Sequence, residues 1–448
     1  MLSDLTVGKP IKVISTFSLP LLLSTALQQL YNIADSVIVG RFTGSPGLAA
    51  IGAAYPITLF FVAAATGGAM GCSVTISQLF GAKKFRELKS AVFTALITLF
   101  SIGVVLGLLG IGLSRPLMRL LHAPEAHGVF ENASAYLAIY SVGVIPMFVY
   151  NAATSIYTGL GDSRRPLYFL ILSSVLNVIL DSIAVGPLHL GVRGAAWATT
   201  ISQAVAAILS AAFITKKISA IHTEEKAKIF DRASLKDMSA IMVPSIFQQS
   251  CVALAHTILQ RLINSFDTYV VAGYEAASKL YNFVYMCLNT LGTALSSFVA
   301  QCRGAGKKKR ILEGFKVSTI LCFACMVVAV AILQLFPRQL MGLFVDAGTE
   351  QSVIEVGVNY LRIISPVYLP ICFIITIGGF LRGMGHTMTF FLETASEFTV
   401  RVVMCYVLAA AMGSYLGVLW AWYFGSSFGF LICVFLFFRV KKRELADA

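Results

Sequence analysis

Twelve apolar runs, each long enough to cross a bilayer, constrain this chain more than any other feature. A membrane-spanning helix needs about 20 apolar residues. Runs of that length fall at 14–40, 47–80, 89–113, 132–158, 166–188, 191–215, 236–264, 270–302, 312–336, 352–381, 387–412 and 415–438. None shows the alternation of a lipid-facing strand, so the backbone must close its hydrogen bonds within each segment, as helices. Composition leads the same way. The chain is 57% hydrophobic and 12% charged, whereas soluble domains average roughly 25% charged. A soluble fold this apolar would expose large adhesive patches. The expected fold class is an all-α polytopic membrane protein.

The net charge of +13 sits in short clusters between the apolar runs. A nucleic-acid surface would gather it on one face, so no nucleic-acid partner is expected. The clusters at Lys83–Lys89, Arg164–Arg165, Lys216–Lys236, Arg303–Arg310, Arg382 and Arg439–Arg443 all follow even-numbered spans. Odd-numbered loops hold only Arg41, Arg115, Arg119, Arg193 and Arg338. Basic loops stay cytoplasmic, which places both termini in the cytoplasm of a multi-pass plasma-membrane protein. The first residues, MLSDLTVGKP, lack the basic region of a signal peptide, so the first run is expected to remain as a span.

The chain also repeats itself. SQLFGAKK at 77–84 resembles AQCRGAGK at 300–307, and Pro20 and Pro146 match Pro244 and Pro370. The offset is 223 or 224 residues. Each half holds six spans, an even number, so the halves share one orientation. Parallel repeats of this kind are characteristic of alternating-access transporters. The expected organisation is a six-helix lobe at 1–215, a cytoplasmic linker at 216–238 and a second six-helix lobe at 239–448.

The nine cysteines are scattered through apolar segments and read as small buried hydrophobes. No HExxH, DDxxD or partnered GxSxG motif occurs, so an enzyme is not expected. The informative residues are polar groups inside the spans, which are costly there and mark function. Tyr31, Asn32 and Asp35 share one helical face in the first span. Asn177 and Asp181 are spaced i, i+4 in the fifth, Thr199 lies in the sixth and Asn151 in the fourth. Two buried carboxylates near one another hold protons tightly. Carboxylate, amide and hydroxyl oxygens also suit a hard cation such as sodium.

The second half breaks the pattern. By the repeat offset, Asp35 falls at Ile258, Asn177 at Arg401 and Asp181 at Cys405. Instead the eleventh span carries Glu393, Glu397 and Arg401 as one i, i+4 stripe. It is expected to form an internal ion pair or a cleft contact. His256 and Gln260, on one face of the seventh span with Asn264, either line a cleft or bond between helices.

DSVIVGRFTGSPGLAAIG, SQLFGAKK, GLGDSRRP, LNVILD and GVRGAAWATTISQ resemble the multidrug and toxic compound extrusion family. So do INSFDTYVVAGYEAASKL, VAQCRGAGKKK and LRGMGHT in the second half. The likeness covers nearly the whole chain. It implies two six-helix lobes, no cofactor, and export of amphiphilic, often cationic, drugs or metabolites against an inward flow of protons or sodium ions. It also assigns Asp35, Asn177, Asp181, Tyr31, Asn151 and Thr199 to a coupling-cation site, with Asp35, Asn177 and Asp181 as the expected ligands where the cation is sodium. Apart from lipid and substrate no partner is expected, and the chain is expected to be a monomer. The alternative is a flippase for a lipid-linked saccharide, from a related branch with the same architecture.

Overall fold

The apolar runs fold as helices, and no strand occurs among the described residues. A computed structural model of the chain describes residues 3–125, 128–223, 225–344 and 350–446; at 33–37, 39–42, 44–46 and 48 it describes the backbone alone. The helices are α1 (Pro10–Gly81), α2 (Phe85–Gly112), α3 (Ser114–Leu120), α4 (Val129–Gly159), α5 (Arg164–Val185), α6 (Gly191–Ser219) and α7 (Arg232–Ile263). They continue with α8 (Thr268–Gly304), α9 (Lys308–Leu335), α10 (Pro337–Met341), α11 (Gln351–Ile364), α12 (Tyr368–Gly383), α13 (Thr387–Met412) and α14 (Leu416–Glu444). Twelve stretches within them are long and apolar enough to span a membrane. The first two, Pro10–Asn32 and Ala49–Gly81, both lie in α1, whose helical trace is continuous where the sequence predicts a loop.

The chain divides into two compact units. One is 1–4 with 19–250, and the other is 5–18 with 251–448. The division falls inside α1 and α7, not in the polar segment 216–238. Part of that segment is tied to the first unit: the backbone N–H of Lys228 donates to Ser90 Oγ (2.9 Å) and that of Asp231 to Thr94 Oγ1 (2.9 Å). Asp231 then caps α7 by accepting from the N–H and hydroxyl of Ser234.

In the first unit α4 packs against α2 and α6, and α5 against α6. Phe61, Leu99, Phe148, Ile156 and Tyr157 fill the core. Large apolar side chains such as Leu108 and Ile208 face outward, which suits hydrocarbon as solvent. In the second unit α13 packs against α14, and α8 against α9, α11 and α12. There α8 and α12 approach closely: a Cβ on Gly379 would come within 2.4 Å of the Gly292 carbonyl oxygen. Small residues permit such backbone contact between membrane helices.

The tenth span is broken. A single 3₁₀ turn, Ser365–Val367, separates α11 from α12. Pro366 has no N–H to give the Arg362 carbonyl. Gln334 Nε2 takes that role, donating to Arg362 O (2.9 Å) and to Ser365 Oγ (2.8 Å). The Tyr423 hydroxyl serves the Ile363 carbonyl (2.8 Å). Two side chains from neighbouring helices thus replace the bonds the break removes, as a low-dielectric setting requires.

Candidate functional site

In the first unit α5 and α6 bring together three of the polar residues singled out in the sequence. Asn177 and Asp181 are one turn apart on α5 and almost wholly buried, at 1% and 0% exposure. Their neighbours Val175 and Ile179 point outward, so α5 turns apolar groups to the surroundings and its amide and acid inward. Asn177 Nδ2 donates to Thr199 Oγ1 on α6 (3.2 Å). The amide oxygen Oδ1 of Asn177, also buried, has no hydrogen-bond partner among the described residues. An acceptor in that position is suited to a proton donor or a cation.

Asn151 on α4 uses its amide nitrogen on its own helix, donating to Met147 O (2.9 Å). Tyr31 is partly buried and Asn32 exposed on α1. The side chain of Asp35 lies outside the described residues.

The second unit holds a different arrangement. Glu393, Glu397 and Arg401 are buried along α13. The Arg401 guanidinium pairs with Glu397 Oε1 and donates to Ser426 Oγ on α14 (3.1 Å). It lies between the rings of Phe398 and Trp422, 4.7 and 4.5 Å from their centroids. The sequence reading missed this aromatic clamp, although Phe398 and Trp422 flank the stripe; nothing in the spacing showed that Trp422 would face Arg401.

Room for the stripe comes from glycine. A Cβ on Gly425 would lie 2.7 Å from Arg401 Cβ, and one on Gly429 would lie 2.8 Å from Glu393 Oε1. Glu397 and Arg401 also line a small, partly open pocket within this unit, with His256, Tyr281, Asn282, Tyr285, Phe398 and Trp422. His256 thus joins the stripe, packed edge-on to Phe398 (6.1 Å). Gln260 does not; it donates to Asn264 Oδ1 one turn along α7 (3.0 Å).

Known proteins resemble the chain throughout. A family model described as MatE matches it twice, at residues 20–183 and 244–407, with the second match displaced by 224 residues. The probable multidrug resistance protein YoeA of Bacillus subtilis (strain 168) is 29% identical over 362 residues, covering 79% of this chain and 77% of that protein. The probable multidrug resistance protein YpnP of the same organism is 26% identical over 444 residues, covering 98% of this chain and 97% of that protein. Among solved structures, a crystal structure of MATE in the straight conformation superposes with a TM-score of 0.88 at 23% identity, over 98% of each chain. With two copies of the family model covering most of its length, the chain belongs to the multidrug and toxic compound extrusion (MatE) family of membrane transporters.

Proposed function

We propose that this transporter is a secondary active multidrug exporter. It expels amphiphilic, often cationic, small molecules by alternating access, in exchange for protons or sodium ions. It sits in the cell membrane with both termini cytoplasmic. The observation that carries the coupling is the orphaned Oδ1 of Asn177 beside the buried Asp181 and Thr199. A buried acceptor without a donor costs stability, and an entering proton or cation would offset that cost. The names of the relatives support the drug class.

Asp35, Asp181, Asn177, Thr199, Tyr31 and Asn151 form the coupling set in this reading. The arriving cation neutralises a carboxylate, weakens its hold on a cationic drug and favours release outside. Departure of the cation toward the cytoplasm restores the charge. The two ligands must discriminate between conformations for the cycle to run. A flippase for a lipid-linked saccharide would need free cationic groups for a pyrophosphate; of its two candidates in the spans, Arg261 and Arg401, the second is committed to Glu397.

The test is uphill efflux from proteoliposomes, with the proton and sodium gradients varied separately. Asp35→Asn folds and reaches the membrane but loses uphill export. Asp181→Asn shows a weaker loss, and the double variant is little worse than Asp35→Asn alone, because groups acting as a unit are non-additive. Wild-type uphill export by Asp35→Asn would make that acid structural.

A further inference from the structure

The α13 stripe contains more acid than its arginine balances. Glu393 and Glu397 converge on one point: both Glu393 Oε1 (2.8 Å) and Glu397 Cγ (2.9 Å) lie close to where Gly429 would carry a Cβ. Arg401 pairs with Glu397. Glu393 receives neutral donors, the Thr394 hydroxyl on Oε2 (3.2 Å) and the Cys433 thiol of α14. Its Oε1 is buried with no hydrogen-bond partner among the described residues, on a side chain 1% exposed. With both acids ionised, the three neighbouring groups carry a net charge of −1 inside a membrane helix pair. Such a charge is not stable in low dielectric without a counterion.

The groups facing Glu393 do not supply one. They are Glu397 and Arg401 on α13 and the Cys433 thiol on α14. The Tyr285 hydroxyl on α8 is close to both glutamates and to Arg401, with Arg382 at the end of α12 acting on it as well. Arg382 itself lies over the Phe390 ring (5.5 Å). Tyr281 on α8 and His256 on α7 stand across the cavity.

We propose that this stripe is a proton-exchange site of the second unit, independent of the coupling set in the first. Glu393 and Glu397 hold one transferable proton between them, and Arg401 balances the carboxylate that remains. The ligand is a proton, not a metal ion. Hard cations demand about six oxygen ligands, and here Glu397 is taken by Arg401 while the open oxygen of Glu393 abuts the Gly429 backbone. The cavity supplies the route. It borders Glu397, and among its apolar lining His256, Asn282, Tyr281 and Tyr285 supply polar groups, enough partners to hold a water. The step is a simple transfer: a carboxylate of the pair takes a proton from cavity water, which is left as hydroxide or passes the deficit to bulk, and returns it by the reverse path.

The experiment is pH-difference infrared spectroscopy on the purified full chain in lipid nanodiscs. The expected result is a carbonyl-stretch band of a protonated carboxyl that disappears as pH rises. Glu393→Gln, which copies the neutral form in shape, abolishes that band, and Asp35→Asn with Asp181→Asn leaves it in place. A band that survives Glu393→Gln, or that vanishes only with the first-unit double variant, overturns the proposal. Should Glu393→Gln fail to reach the membrane, wild-type protein carrying carbon-13 in its glutamate carboxyls decides the question. The band must shift with that label, and an unshifted or absent band overturns the site.

Discussion

Helices α5 and α6 of the first unit and α13 and α14 of the second occupy the same place in the repeat, yet they treat charge in opposite ways. The 224-residue displacement of the family match sets Asn177 against Arg401, Asp181 against Cys405 and Thr199 against Tyr423. The first pair of helices buries an acid beside an amide with an open acceptor. The second buries an acid beside a fixed guanidinium, clamped between two rings. Where α14 carries Gly425 and Gly429 against α13, the repeat-equivalent positions of α6 carry Ile201 and Val205. A bulky stripe on one helix required its partner to give up side chains. Duplication preserved the scaffold and left the polar contents free to diverge.

The strongest way to break this comparison is to remove the fixed pair. Glu397→Gln removes the carboxylate bonded to Arg401; breaking a buried pair from one side typically costs about 3–5 kcal/mol, and ionisation of Glu393, the remaining acid of the stripe, offsets part of it. Expression and thermal stability in detergent should fall sharply. Glu397→Gln combined with Arg401→Gln should recover part of both. A single Glu397→Gln that is stable but has lost its ion dependence would move this pair into the coupling machinery.

A smaller effect sharpens the role of glycine. Gly429→Ala places a methyl 2.8 Å from Glu393 Oε1 and 2.9 Å from Glu397 Cγ. Overpacking of this kind costs about 1–3 kcal/mol. The melting temperature should drop, and the drop should shrink when Glu393 is shortened to alanine in the same chain. An unchanged melting temperature in Gly429→Ala would mean that α14 yields easily and that the glycines are not there for the stripe.

The smallest effect lies outside both sites and serves as a control. Asp231 caps α7 through the N–H and hydroxyl of Ser234, and these bonds, with Lys228 nearby, hold its carboxyl below the usual range. A depressed carboxyl adds stability above its unfolded value of about 3.9 and loses it as pH falls through the folded value. Asp231→Ala should therefore cost about 1 kcal/mol near neutrality, with the difference from wild type closing below about pH 4. Melting curves across pH measure it, and neither ion coupling nor the carboxyl infrared band should change.

Long apolar runs, evenly placed basic loops and a repeated set of motifs made the number of spans and the twofold organisation legible from residues alone, because a bilayer leaves the backbone no other choice. The polar positions were legible for the same reason: Asn177, Asp181, Glu393, Glu397 and Arg401 stand out in spans that tolerate few such groups. What each polar group meets was decided only in three dimensions. Helical spacing showed that Glu397 and Arg401 share a face, but not that Trp422 and Ser426 close over it from α14. It grouped His256 with Gln260, while the folded unit sends one into the cavity and leaves the other bonded to Asn264. Pro366 forecast a kink, but the replacement of its lost bond by Gln334 depends on which helix packs alongside. Periodicity along one helix fixes direction around that helix's axis; the partner across the interface is set by packing between segments far apart in the chain, and no local pattern encodes it.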